Sequence, residues 1–250
     1  MSDSKNQWVT FEGEEVRHGL WFEVNDDEDD TVDEGMYVYG KRDGEWITWR
    51  GDKVVKITNY RDGHRHGSES NYQPWEKYKE SSYEYKHGVL HGVFVEWFKF
   101  GIEKTGSYED GLLHGHYLEL DVNSVLERRG KYEHGKRVGP WRFQDENGRT
   151  LCWGDYVDGL KEGEWTYYDN LTELDDYDAR DVPREILGKG TWQRGKPVDG
   201  FFFFKEGNDS RVRKCGQLEN GKMHGLIRTW NYDEMGAEEM YRHGLQHGPY

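Results

Sequence analysis

The chain of 250 residues is 34% aliphatic or aromatic, 15% aromatic and 33% charged, and it carries a formal net charge of −15. So small an apolar share with so many aromatics suits a thin sheet better than a thick core, and no run of about 18 apolar residues is available to span a membrane. Acidity on this scale opposes nucleic acid and anionic membranes as principal partners, so neither is expected.

The amino terminus, MSDSKNQW, lacks the basic start and apolar stretch of a secretory signal, so a cytoplasmic or intravirion setting is expected. The net charge lies in two segments. Residues 1–40 hold a net −10, including the run Asp26, Asp27, Glu28, Asp29 and Asp30. Residues 169–186 hold a net −5, with Glu173, Asp175, Asp176 and Asp178, and the remainder is neutral. Such runs are commonly solvated loops that keep a sheet soluble. They are also candidate contacts for a basic protein partner, which they would steer into place.

From Tyr37 onward one unit recurs. Its first glycine stands at Gly40, Gly63, Gly88, Gly111, Gly135, Gly159, Gly195, Gly221 and Gly244, spaced by 23 to 26 residues except for the 36 between Gly159 and Gly195. A second glycine follows four residues later, or five at Gly200. Three residues before the first glycine stands a Tyr or Trp, with Leu218 the exception. Two residues after the second stands a ring, with Ile227 and Glu69 the exceptions. The pattern predicts strand, glycine turn, strand, and no helix is indicated. Two strands alone are marginally stable, so the hairpins must stack and bury a shared ladder of rings. The long interval marks an acidic insertion at 169–186, and insertions in repeat arrays map to loops on one face.

Chemistry-bearing residues are mostly absorbed by the repeat. Cys152 and Cys215 fall two repeats apart and are read as free thiols. Nine of the eleven histidines directly precede a glycine of the turn, which gives them a role in hydrogen-bonding the hairpin backbone. Units separated by about 10 Å should keep them from converging as metal ligands, so no metal site and no cofactor are expected. No nucleophile elbow, P-loop or dinucleotide fingerprint is present, so the chain is read as no enzyme. Basic triplets at Arg128, Arg129 and Lys131 and at Arg211, Arg213 and Lys214 are too local for a nucleic-acid stripe.

A second set of aromatics lies five residues after a second glycine: Trp49, Tyr72, Trp97, Tyr168 and Trp230. Strict alternation puts them on the face opposite the ladder. Either a bulge returns them to the core, or they line an exposed groove that suits a protein partner.

The Y-x-x-G-x-x-x-G-x-W units, clearest in YEDGLLHGHY at Tyr108, YEHGKRVGPW at Tyr132 and YVDGLKEGEW at Tyr156, resemble MORN repeats, in particular the variants of bacteria and large DNA viruses. The resemblance covers roughly residues 35–250, and FEGEEVRHGLW looks like a degenerate first unit inside an acidic leader at 1–34. It implies an all-β, elongated repeat array of antiparallel hairpins in a twisted, trough-like sheet. It also implies a non-enzymatic scaffold that mediates protein–protein interaction. The alternatives it leaves are an antitoxin or immunity protein against a basic toxin, and a virion or membrane-associated scaffold. The last unit stops at HGPY with no polar cap, so end-to-end homo-oligomerisation is a further expectation. The candidate binding residues are thus the acids named at 26–30 and 173–178 together with Trp49, Trp97, Tyr168 and Trp230.

Overall fold

A computed structural model describes residues 6–25, 30–76, 78–99, 101–120, 127–144, 148–168, 186–205, 212–231 and 234–247. Among these residues every regular element is a β-strand. Each described pairing is antiparallel and joins strands that follow one another in the chain, so the all-β hairpin array is present. The strands form two compact units, Met1–Gly115 and His116–Tyr250.

In the first unit Gln7–Phe11 pairs with Glu14–Val24, Thr31–Val38 with Lys41–Arg50, and Lys53–Arg61 with His64–Tyr72. Lys79–Lys86 then pairs with the interrupted strand Val89–Leu90 and Gly92–Phe98, which pairs in turn with Gly101–Glu109. In the second unit Glu127–Glu133 pairs with Lys136–Gln144, Thr150–Val157 with Leu160–Tyr168, and Ile186–Gln193 with Lys196–Lys205. Val212–Glu219 with Lys222–Asn231, and Glu234–Arg242 with Leu245–His247, complete it. Residues 7–24 therefore supply a hairpin of their own.

The turn explains the glycine period. In the hairpin closed by Val157 and Leu160, Asp158 and Gly159 have φ of 51° and 82°. A two-residue turn with both centres left-handed matches the twist of the flanking strands. Aspartate, asparagine and histidine tolerate the first of these positions, and glycine takes the second without cost. The second glycine, Gly163 with φ 70°, lies where the register between the two strands shifts. That bulge turns the following ring, Trp165, down onto the sheet.

A single-layered sheet still buries its rings. Trp46, Trp141 and Trp165 are 2%, 1% and 0% exposed. The ring of each lies over a third glycine of the repeat, Gly35, Gly130 and Gly154 in turn, where a Cβ would strike the indole. With no Cβ in the way, the indole lies over the backbone; Tyr37 and Tyr60 close edge-on over Trp46, Tyr132 and Tyr156 over Trp141, and Tyr156 over Trp165. In the second unit Tyr132, Trp141, Tyr156 and Trp165 follow one another at ring-centroid separations of 5.1, 6.0 and 5.3 Å, all edge-on. Each such contact adds about 0.5–1.5 kcal/mol beyond the area it buries.

Candidate protein-binding surface

The ladder face is closed by cations that the sequence reading passed over. Arg17, Arg42, Arg65, Arg137 and Lys161 all stand two residues before a second glycine. Arg137 lies 4.6 Å from the Trp141 centroid, and Lys161 lies 3.9 Å from Trp165 and 4.5 Å from Trp192. Arg42 lies 3.9 Å from Trp46 and also donates to Glu23 at 2.6 Å and to Asp33 at 2.9 Å. Asp33 accepts a further bond from Thr48 Oγ1 at 2.7 Å, and Arg17 binds Glu23. Burial alone would lower the Arg42 pKa, but its bonds with Tyr37, Glu23 and Asp33 outweigh this and hold it raised. Among the described residues no such acid pairs with Lys161, and burial lowers its pKa.

Glu69, the polar exception in the ladder, is buried and satisfied: Thr58 Oγ1 donates at 3.2 Å, and Lys56 and Arg65 approach at 3.3 and 3.4 Å. Of the phenylalanine run, Phe202 is buried and Phe201 packs against the cluster around Trp165. Cys152 and Cys215 are not joined in a disulfide, and Cys215 is buried.

The turns are stapled to the preceding repeat. The N–H of Gly40, Gly63, Gly88 and Gly159 donates to the carbonyl of Arg17, Arg42, Arg65 and Arg137 in turn, at 2.7 to 3.0 Å. At six repeats the residue just before the second glycine adds a bond from its side chain. The Nδ1 of His18, His66 and His91 accepts from the backbone N–H of Tyr39, His87 and Asp110 at 3.4 to 3.5 Å. Asp43, Glu162 and Asp199 accept in the same way at 3.2, 2.8 and 2.8 Å. The capping role expected of the histidines holds at these positions, and carboxylates share it.

At His224 it does not hold. Its Nδ1 is buried without a hydrogen-bond partner among the described residues. It faces Glu219 Oε2 at 3.1 Å, and His243 Nδ1 lies 3.5 Å from the same oxygen. The spacing argument against converging ligands fails here. Adjacent turns meet through the Gly244 N–H bond to Met223 O at 2.8 Å, much closer than one hairpin period.

The second aromatic set has a definite place. On Lys41–Arg50, residues 46 to 49 pair without interruption with 35 to 32, so Trp46 and Trp49 point to opposite faces. The neighbouring strand carries the bulge: Thr48 pairs with Lys56 and Trp49 with Val54, leaving Val55 extra. The same holds at Trp97 and Tyr168. All three are half-buried on the face away from the ladder. Trp49 Nε1 donates to Glu34 at 3.1 Å, and Tyr168 accepts from Trp153 Nε1 at 3.3 Å.

In the first unit this face gathers a row across consecutive strands. Trp49 pairs with Val54, Tyr72 with Lys79, and Trp97 with Ile102. The Lys79 ammonium stands 5.8 Å from both the Tyr72 and the Trp97 ring. Trp75, 73% exposed, carries Lys53 4.1 Å above its ring. No protein-family model matches the chain, and no curated protein matches it either.

Of the remaining candidates, Asp30 is exposed. Asp26, Asp27, Glu28, Asp29, Glu173, Asp175, Asp176 and Asp178 lie outside the described residues, as does the side chain of Trp230. No helix among the described residues is long and apolar enough to cross a membrane.

Proposed function

We propose that this chain is a non-enzymatic binding array whose partner is a protein, engaged through the sheet face opposite the aromatic ladder. The row of Trp49, Tyr72, Lys79 and Trp97 in the first unit carries the reading. Half-exposed Trp and Tyr with polar handles are the side chains that concentrate binding energy at protein interfaces. Lysines resting beside the rings add cationic contacts that a partner carboxylate can share. The ladder face supports the non-enzymatic part of the reading, because its strongest polar constellation, Arg42 with Glu23 and Asp33, is spent on structural hydrogen bonds. The resemblance to MORN repeats, many of which serve as scaffolds, points the same way.

The test is affinity capture from the native source with three proteins: the wild type, W49A/W97A, and a variant with the acids at 26–30 and 173–178 changed to Asn or Gln. A partner held by the wild type and the acid variant but lost from W49A/W97A supports the aromatic face. A basic partner lost only from the acid variant, and released by salt, overturns it in favour of the antitoxin reading.

A further inference from the structure

We propose that Glu219, His224 and His243 form a binding site for a divalent transition-metal ion, with Zn²⁺ as the ion that fits the donor set. One ligand atom from each side chain lies within 4.8 Å of the other two. The two measured edges of this triangle, 3.1 and 3.5 Å, bracket the roughly 3.3 Å that separates neighbouring ligands around a tetrahedral Zn²⁺ with bonds of 2.0–2.1 Å. Two imidazoles and a carboxylate, with water in the fourth position, make a common zinc donor set.

Two observations set this cluster apart from the turn of His66 and His87. The His66–His87 pair has nearly the same ring separation, 5.0 Å against 5.4 Å for His224–His243. There the position of Glu219 is taken by Arg61, and His66 Nδ1 accepts the His87 N–H. At His224 the acid replaces the arginine and Nδ1 has left the backbone. It is buried and close to the carboxylate, but not in hydrogen-bonding alignment with it. A lone pair placed near a carboxylate without pointing at it is the arrangement of two ligands aimed at a shared third body.

The site would tie two successive repeats together. Glu219 and His224 belong to the hairpin Val212–Glu219 with Lys222–Asn231, and His243 to the turn of the next. An ion bound to the folded arrangement and not to the unfolded chain stabilises it by mass action. All three side chains keep some solvent contact, 47%, 39% and 62% exposed, so the ion exchanges freely with the medium.

The experiment is calorimetric titration of the chelator-treated full chain with Zn²⁺, repeated on H224A, H243A and E219Q, with H66A as control. Glu109, His114 and His134 repeat the same residue types in sequence, so the readout is the equivalent of Zn²⁺ lost relative to the wild type. Each of H224A and H243A is expected to lose one equivalent or to bind it at least tenfold more weakly, while H66A titrates as the wild type does. Zn²⁺ is also expected to raise the melting temperature of the wild type more than that of H243A. Because the metal-free melting temperature of each variant is measured alongside, a folding defect is told apart from a lost site. Equal binding by wild type, H224A and H243A, or no saturable binding by the wild type, overturns the proposal.

Discussion

The guanidinium of Arg42 rests 3.9 Å from the centroid of Trp46. The same group holds Glu23 and Asp33, so one cation both caps a buried ring and neutralises two carboxylates brought together by three neighbouring strands. R42M keeps the apolar stem over the indole and leaves the two acids facing each other. All three groups retain some solvent, which moderates the cost of a broken ion pair to about 2 kcal/mol. The triple variant R42M/E23Q/D33N is expected to recover at least half of that loss in urea denaturation. No recovery would mean that the arginine acts through packing alone.

Two glycine substitutions separate space from backbone conformation. A Cβ at Gly154 would come closer than 3.0 Å to ring atoms of Trp165, whereas nothing lies within 4 Å of one at Gly163, whose φ is +70°. G154A is expected to cost about 2–3 kcal/mol by overpacking. G163A should cost about 1–2 kcal/mol, from the left-handed backbone alone. Chemical denaturation of both variants checks the order. An equal loss would show that the indole moves aside.

Lys161 provides a pH signature. Its folded pKa is lowered by burial, so between that value and the ordinary lysine value the unfolded chain binds more protons than the folded one. The stability cost is fully present below the folded pKa and is relieved as pH rises through this window. K161M, which keeps the stem and removes the charge, is therefore expected to gain most over wild type near neutrality, with the gap narrowing in alkaline solution. Denaturation of both proteins at a series of pH values measures it. A gap independent of pH would remove desolvation as the cause.

The side-chain caps between repeats are interchangeable in kind. Glu162 accepts from the Arg194 N–H at 2.8 Å, where His18, His66 and His91 accept at 3.4 to 3.5 Å. E162A is expected to cost about 1 kcal/mol. E162H should fall between it and wild type, read as urea midpoints.

The ladder and the turns were legible because they recur at fixed spacing with little change of residue. The third glycine recurs too, at Gly35, Gly106, Gly130, Gly154, Gly190 and Gly216, and a search for a glycine two residues before the tyrosine position finds it. The capping cations were harder to see because their position changes chemistry, from Arg65 to Leu90 and from Arg137 to Lys161. The face occupied by Trp49 was left open because it depends on which strand carries the bulge. Val55, Glu103 and Leu187 take up that slack on the partner strands, and nothing in their side chains announces it. The meeting of Glu219, His224 and His243 was hidden by treating a whole hairpin as the step between repeats, when adjacent turns touch.

First glycines such as Gly40, Gly63 and Gly159 lean on the repeat before them, and the described strands pair with their sequence neighbours, which makes a hairpin a tile that can be removed whole. Deleting 24 residues between two equivalent points, such as Gly135 and Gly159, rejoins positions of the same kind and presents the next turn with the same carbonyl to bind. Unequal recombination can therefore lengthen or shorten such a gene by whole tiles without creating a misfit at the seam. The close spacing of contacts along the chain also lets folding spread outward from whichever hairpin forms first.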